Sequence, residues 1–337
     1  MLKKLTEAFG PSGCEDEVRE IIRAEMKNIC DEIYEDSIGN LICHKKGESV
    51  DGKSVMLTAH MDEVGFIISF VNKEGYLKFQ TVGGIDPNVL ISKKVVIGDN
   101  KICGVIGTKP IHQNKENNEK FKISDLYIDI GAKSKEDALK TINIGDYACF
   151  DSDYIEFGDG FVKAKALDDR VGCYVMINLA KRNPRADLYY VFAVQEEVGH
   201  RGAIISSKKI NPAFAIVLEG TTCSDVPGTD EFGFSTHIGK GAALSMRDGG
   251  CYSDIELTKD IINCAIKHNI DCQYKQTTLG GNDAAAIQIS NNGVKVAAIS
   301  VPCRYIHSQS NVAKLNDIKS MEDILFNYIE SKVKSND

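Results

Sequence analysis

The residues of this 337-residue chain best suited to chemistry are acids and imidazoles that stand where apolar runs stop. His60 closes the run Val55-Met56-Leu57-Thr58-Ala59, and Asp62 follows two positions on. In extended backbone that spacing puts both on one side, as for a metal-ligating imidazole whose other ring nitrogen is fixed by a carboxylate. A strand end running into a solvated acidic turn has the same pattern. Asp168 and Asp169 precede Arg170 at the start of a helical stretch, where one can cap the helix while the other bridges cations. Gln195-Glu196-Glu197-Val198-Gly199 follows the apolar run Tyr189 to Val194. Adjacent buried carboxylates repel unless a proton or cation intervenes, so either both face water or a metal-bound Glu sits beside a Glu base. Glu219 ends Ala213 to Leu218 in the same manner, and His307 follows the run from Val296 to Val301.

Any one of these positions is unremarkable, but the set His60, Asp168, Glu197, Glu219 and His307 along one sheet edge is a different matter. Ligands gather outside the carboxyl ends of strands in α/β sheets. If Asp168 bridges, each of two cations receives one imidazole, one terminal carboxylate and the shared carboxylate. Three protein ligands leave a position open for solvent, and two such ions clamp a reacting centre. Of the other histidines, His44, His112, His200 and His268 stand in polar or helix-end contexts that predict solvation, and His237 is open between lining the site and not. Gly280-Gly281-Asn282-Asp283 predicts a tight turn into a capped helix near the site, without a full phosphate-binding fingerprint. The chain has neither Gly-x-Ser-x-Gly nor His-Glu-x-x-His, which argues against a serine hydrolase and a single-zinc protease. No Cys-x-x-Cys occurs among the 11 cysteines, so reduced buried thiols are expected.

Positioning these groups requires a sizeable scaffold. A single core stops growing near ~250–300 residues, so two domains are expected. Residues 43% hydrophobic and 26% charged are ordinary for a globular chain. A net charge of −8 without a basic run argues against nucleic-acid binding. The apolar stretches are strand-sized and the N-terminus lacks a secretory apolar region, so no membrane partner and a cytoplasmic location are expected. Ser12 and Glu15 have capping-box spacing ahead of a helix with Val18, Ile21, Ile22, Met26 and Ile29 on one face. Strands are predicted around 41–44 and 54–59. Short glycine-punctuated strands between 65 and 160 then read as a β-rich, barrel-like unit, with a helix from Lys135 capped by Ser134 and a loop from His112 to Lys122. Beyond Ala166, helices near 169–181, 253–268, 283–289 and 315–333 alternate with strands near 188–194, 213–218 and 294–301. The expected fold is α/β, a three-layer sandwich with a central, mostly parallel sheet. Residues 1–64 and 161–337 would form it, with 65–160 inserted.

Several of these strings occur together in a known order. His60-Met61-Asp62-Glu63-Val64-Gly65, Ala166-Leu167-Asp168-Asp169-Arg170, Gln195-Glu196-Glu197-Val198-Gly199, Gly280-Gly281-Asn282-Asp283-Ala284 and Tyr305-Ile306-His307-Ser308 resemble the glutamyl/deblocking aminopeptidase family. Those are di-metal peptidases that form tetrahedral dodecamers, some carrying an old endoglucanase or cellulase-like label. Gly83-Gly84, Lys109-Pro110-x-His112 and Asp125 to Ala132 extend the likeness into the inserted unit. The resemblance implies that His60, Asp168 and Glu219 hold one metal and Asp168, Glu197 and His307 the other, with Glu196 as general base and Asp62 orienting His60. Asp225 competes with Glu219 as a ligand. It implies two divalent ions, zinc or cobalt with manganese as a further option, short peptides with free N-termini as substrates, and a homo-oligomer built through the inserted unit. Three other readings compete with hydrolysis of the first peptide bond: a deacylase, carboxypeptidase or other amidohydrolase on the same metals, a glycosidase, and a catalytically silent scaffold or regulator, against which the complete ligand set plus base weighs.

Overall fold

The computed structural model describes residues 1–109 and 121–333. Eight strands form one mixed sheet in the order Glu32–Glu35, Leu41–Lys45, Leu188–Ala193, Val55–His60, Phe214–Thr222, Lys295–Cys303, Ala242–Ser245, Cys272–Tyr274. The four strands from Leu188–Ala193 to Lys295–Cys303 run parallel, while Leu41–Lys45 and Ala242–Ser245 flank them antiparallel. Alternate residues of the central strands feed two separate cores. Leu57, Tyr190, Leu218 and Ile299 face the helices Leu167–Lys181, Ile255–Lys267 and Leu315–Lys332. Met56, Val191, Val217 and Ala298 face Arg201–Ile210 and Ala284–Gln288. Sheet strands buried on both faces need such unbroken apolar runs, and a three-layer α/β sandwich results.

A second unit closes on itself. The strands Gly65–Val71, Leu77–Val82, Tyr127–Asp129, Ile102–Gly107, Lys94–Ile97 and Tyr147–Phe150 form an antiparallel barrel. Its core is separate and centres on Phe66, which meets Phe79 and Phe150 edge-on at 5.2 and 5.3 Å. Ile155–Phe157 and Phe161–Ala164 leave the barrel and pair instead with each other and with Asn311–Lys314. The loop expected from His112 lies outside the described residues up to position 120. Ser134 caps the short helix Lys135–Ala138 as its spacing predicts, accepting from the Asp137 N–H at 3.2 Å.

Some sequence-based expectations are corrected. Ser12 and Glu15 form no capping box on the helix Asp16–Met26: Ser12 Oγ donates to Asp62, and Glu15 accepts from the Gly13 N–H at 2.8 Å. His44 is buried rather than solvated, stacked on Tyr189 at 4.0 Å with its Nε2 2.7 Å from Asp187. All eleven cysteines are free, but Cys103 is exposed and Cys14, Cys30 and Cys272 are only partly buried. Among the described residues no helix is long and apolar enough to cross a membrane.

Candidate metal centre

The site lies at the carboxyl ends of the parallel strands. His60 is the last residue of its strand, in register with Ala193, so the chain leaving the neighbouring strand delivers Glu196 and Glu197 beside it. Glu219 lies in the next strand opposite Ser300, and His307 follows the strand after that. Gly220 lets two segments meet here, since a Cβ on it would fall 2.9 Å from the Asp168 Cα. The Asp168–Asp169 peptide is cis. Left-handed backbone at Ala166, Gln195, His200, Tyr305 and His307 surrounds the site, a conformation non-glycine residues hold at a cost of about 1–3 kcal/mol each where the surroundings enforce it.

Two triads of donor atoms converge. In each of His60, Asp168, Glu219 and Asp168, Glu197, His307 the potential ligand atoms lie within 4.8 Å of one another. The Nε2 of His60 is 3.6 Å from Asp168 Oδ1 and from Glu219 Oε2, and 3.9 Å from Glu196 Oε2. The Nε2 of His307 is 3.3 Å from Glu197 Oε1 and 3.7 Å from Asp168 Oδ2. Both imidazoles are anchored through Nδ1, to the carbonyl of Asp62 at 3.0 Å and the carbonyl of Gly84 at 2.7 Å. A carbonyl only accepts, so each Nδ1 carries the proton and a neutral ring turns a lone pair at Nε2 toward the carboxylates. Acceptors facing acceptors need cations between them. Asp168 Oδ1 and Glu219 Oε1 are buried without any hydrogen-bond partner, as ligand oxygens awaiting an ion are. The donor set therefore fits two divalent cations.

The acidic cluster draws positive charge to itself, either as cations beside neutral rings or as protons on the imidazoles. Burial alone pulls the His60 pKa down, but Asp168, Asp62 and Glu219 outweigh it and hold the ring well above its usual range. Burial pushes Glu219 and Glu196 well above the ordinary carboxyl range, with His60 opposing in both. For Asp168 the two imidazoles overcome burial and drive the pKa down. Asp225 is not part of this cluster: its carboxylate accepts from Arg304 Nε at 2.6 Å and from the Ile238 N–H at 3.1 Å. His237 is also elsewhere, its ring edge-on to Phe234 at 5.3 Å.

Asp62 acts through two different groups. Its carbonyl takes the His60 proton, whereas its fully buried carboxylate accepts from Ser12 Oγ at 2.6 Å and from the N–H groups of Glu196 and Glu197 at 3.0 and 3.1 Å. The carboxylate lies 3.4 Å from His60 Nδ1 and also fastens the Glu196-Glu197 turn. His200, expected in solvent, is a second correction, because its Nε2 lies 3.1 Å from Glu196 Oε1. Spacing gives one signal for it: the residue four positions after Glu196 can fold back on a helical turn. The Gly280-Gly281-Asn282 turn does border the site, but Asn282 rather than Asp283 caps the following helix, accepting from the Ala284 N–H at 2.9 Å. Asp283 is left buried with both carboxylate oxygens unpartnered. The triads open into a cavity of about 150 Å³.

An α/β sandwich with imidazoles and carboxylates convergent at its strand ends, plus a glutamate beside them, defines a metallohydrolase-type site. The chain belongs to the M42 glutamyl aminopeptidase family, whose model matches residues 39–324. It is 32% identical to a lysyl aminopeptidase of Pyrococcus furiosus over 94% of this chain and 92% of that one. It superposes on aminopeptidase APDkam598 of the archaeon Desulfurococcus kamchatkensis with a TM-score of 0.94 and 35% identity, covering 98% and 93% of the two chains. It also resembles the Pyrococcus horikoshii TET1 peptidase, described as assembling into a tetrahedron or a large octahedral shell, with a TM-score of 0.86 and 33% identity over 97% of each chain.

Proposed function

We propose that this chain is a metal-dependent aminopeptidase that removes N-terminal residues from short peptides. His60, Asp168 and Glu219 hold one divalent cation, and Asp168, Glu197 and His307 hold the other. The observation that carries the reading is the pair of carbonyl-anchored imidazoles turned toward shared carboxylates, with Glu196 alongside. Divalent cations bound there supply Lewis acidity, acidifying a water and stabilising charge that develops on the scissile carbonyl oxygen.

Glu196 does the proton work. Its carboxylate accepts a proton from the attacking water and returns it to the departing amine. Burial raises its pKa well above the ordinary carboxyl range, against the pull of His60, and a raised pKa favours a group that must take up a proton before giving it back. Asp62 keeps Glu196 in place through the Glu196 N–H and fixes the His60 tautomer through its own carbonyl.

Zinc or cobalt is the proposed metal, with manganese also compatible, because imidazole and carboxylate ligands serve all three. The barrel within residues 65–160 is proposed to carry self-association into a dodecamer. Exposed Phe70, Val105, Leu139 and Ile144 on it support that role, and light scattering of the purified chain tests it. A cytoplasmic location is supported by a chain of free cysteines. The decisive experiment follows hydrolysis of amino-acid anilides after chelation and after return of each metal. Activity lost on chelation, restored by metal and confined to free N-termini is expected. Cleavage of acetylated peptides would favour the deacylase, and chelator-insensitive cleavage of glycans the glycosidase.

A further inference from the structure

Residues 305–311 form the loop that carries His307. Its ends meet where Arg304 and Val312 exchange backbone hydrogen bonds at 2.9 and 3.0 Å. Inside it, Tyr305 and His307 both hold left-handed backbone, a conformation that persists where neighbouring groups over-determine it. One such neighbour is Asn311, the last residue of the loop and the first of the strand Asn311–Lys314. Its side chain is buried, with the residue 1% exposed. The Asn311 Nδ2 donates to the carbonyls of Tyr305 at 2.9 Å and Ser308 at 3.1 Å, one on either side of His307.

The oxygen of the same amide reaches the segment of the shared carboxylate. Asn311 stands opposite Ala164 in an antiparallel ladder, and the chain leaving Ala164 runs on to Asp168. The Leu167 N–H, at the start of the helix Leu167–Lys181, donates to Asn311 Oδ1 at 3.1 Å. An N–H at a helix start has no partner within the helix, and Ala166 offers no side-chain cap for it. One buried amide therefore joins the residue before Asp168 to the two carbonyls around His307. Those two ligands face each other in the second triad, Asp168 Oδ2 to His307 Nε2 at 3.7 Å. A carboxamide has an acceptor and two donors on one planar group, so no other side chain of that size serves all three contacts. The His307 ring is fixed separately, by the Gly84 carbonyl. What Asn311 fixes is the backbone that carries the ring.

We propose that Asn311 is a positioning residue for the second cation, setting the approach of His307 to Asp168 through hydrogen bonds to backbone alone. The proposal rests on the reading above in which Asp168, Glu197 and His307 hold that ion. Asp168 is packed against Gly220 whatever occupies position 311, so the part released by loss of the amide is the loop that carries His307.

The test titrates the full chain, freed of metal by chelation and dialysis, with zinc chloride against a chromophoric chelator. Two zinc equivalents with two dissociation constants are expected of the unaltered chain. Asn311→Leu keeps the branched shape and removes all three hydrogen bonds. It should raise one zinc dissociation constant roughly tenfold to a hundredfold, the usual cost of losing a group that supports a metal ligand. The other constant should stay within about twofold, as for independent sites. In the His307→Ala background, which keeps only the ion of the first triad, adding Asn311→Leu should change the remaining constant by no more than about twofold. A merely structural amide would move both constants and would act in the His307→Ala background as well, and either result overturns the proposal. Two unchanged constants in Asn311→Leu also overturn it, while leaving the two-metal reading intact. Fewer than two zinc equivalents in the unaltered chain overturn both. Should Asn311→Leu not fold, Asn311→Ser, whose single hydroxyl cannot span the two segments, is expected to show the same selective loss. If neither variant folds, the amide serves the fold rather than the metal, and the proposal fails.

Discussion

The Nε2 of His200 lies 3.1 Å from Oε1 of Glu196, and the His200 N–H donates to the Glu196 carbonyl at 3.0 Å. The imidazole thus stands at ion-pair distance from one oxygen of the carboxylate whose other oxygen faces His60. His200 adopts left-handed backbone there, and a Cβ added to Gly281 would stop 3.9 Å from its ring. Its role is to position Glu196. Replacing it with Phe should lower kcat severalfold, roughly the scale of one partly exposed ion pair, with metal content unchanged. His200→Gln, which can still offer an N–H, should recover most of the loss. Equal kcat in all three proteins would show that the contact does not matter for turnover.

Glu196 itself makes a sharper case. It adjoins the triads without belonging to either, and burial raises its pKa well above the ordinary carboxyl range. Glu196→Gln preserves shape but removes the acceptor for the water proton. The expected loss in kcat is about 10²–10⁴-fold, the range for a general base, with both metals retained by elemental analysis. Metal lost together with activity would move Glu196 into the ligand set.

The parts of the site that strand ends deliver were readable in advance, because His60, Glu197 and Glu219 each follow an apolar run that belongs in a buried sheet. The four central strands and the long helices share that origin. Harder to read were features whose local pattern has two physical outcomes. Ser12-x-x-Glu15 has the spacing of a helix cap, yet its side chains reach Asp62 and the Gln195 N–H, residues far along the chain. Leu77–Val82 carries a weak apolar signal because Lys78 and Gln80 alternate with its buried residues. His44 looked polar only until Asp187 and Tyr189 enclosed it. Gly84 was visible as a motif, but a carbonyl that fixes His307 leaves no trace in side-chain pattern.

Glu219 and Asp225 were rival ligands, and their surroundings separate them. Glu219 keeps a buried oxygen without a partner, while Asp225 is neutralised by Arg304 at 2.6 Å. If each ion rests on three protein ligands as proposed, Glu219→Ala should lose about one of two metal equivalents. Asp225→Asn should keep both. His307→Ala should also lose about one, from the other triad. Elemental analysis after dialysis reads all three, and retention of both metals in Glu219→Ala or His307→Ala would remove that residue from the centre.

Glu15 gives the molecule a pH dependence that does not involve the metal ligands. It is buried, and burial followed by the nearby charge of Asp62 raises its pKa from an ordinary 4.5 to about 7, against the N–H groups of Gly13 and Gln195 that favour the anion. A carboxyl whose folded pKa lies above its unfolded value binds its proton more tightly when folded. Its favourable contribution is complete below pH 4.5 and is lost as pH rises toward 7. The loss is roughly 3 kcal/mol at 1.36 kcal/mol per pKa unit. Glu15→Gln keeps an acceptor for both N–H groups and cannot ionise. Relative to the unaltered chain, its stability should therefore rise between pH 5 and 8 by an amount on the order of that loss. Urea unfolding of metal-free protein at several pH values measures the difference. Parallel stability profiles for the two proteins would mean that Glu15 is ionised in the folded chain at the same pH as in the unfolded one.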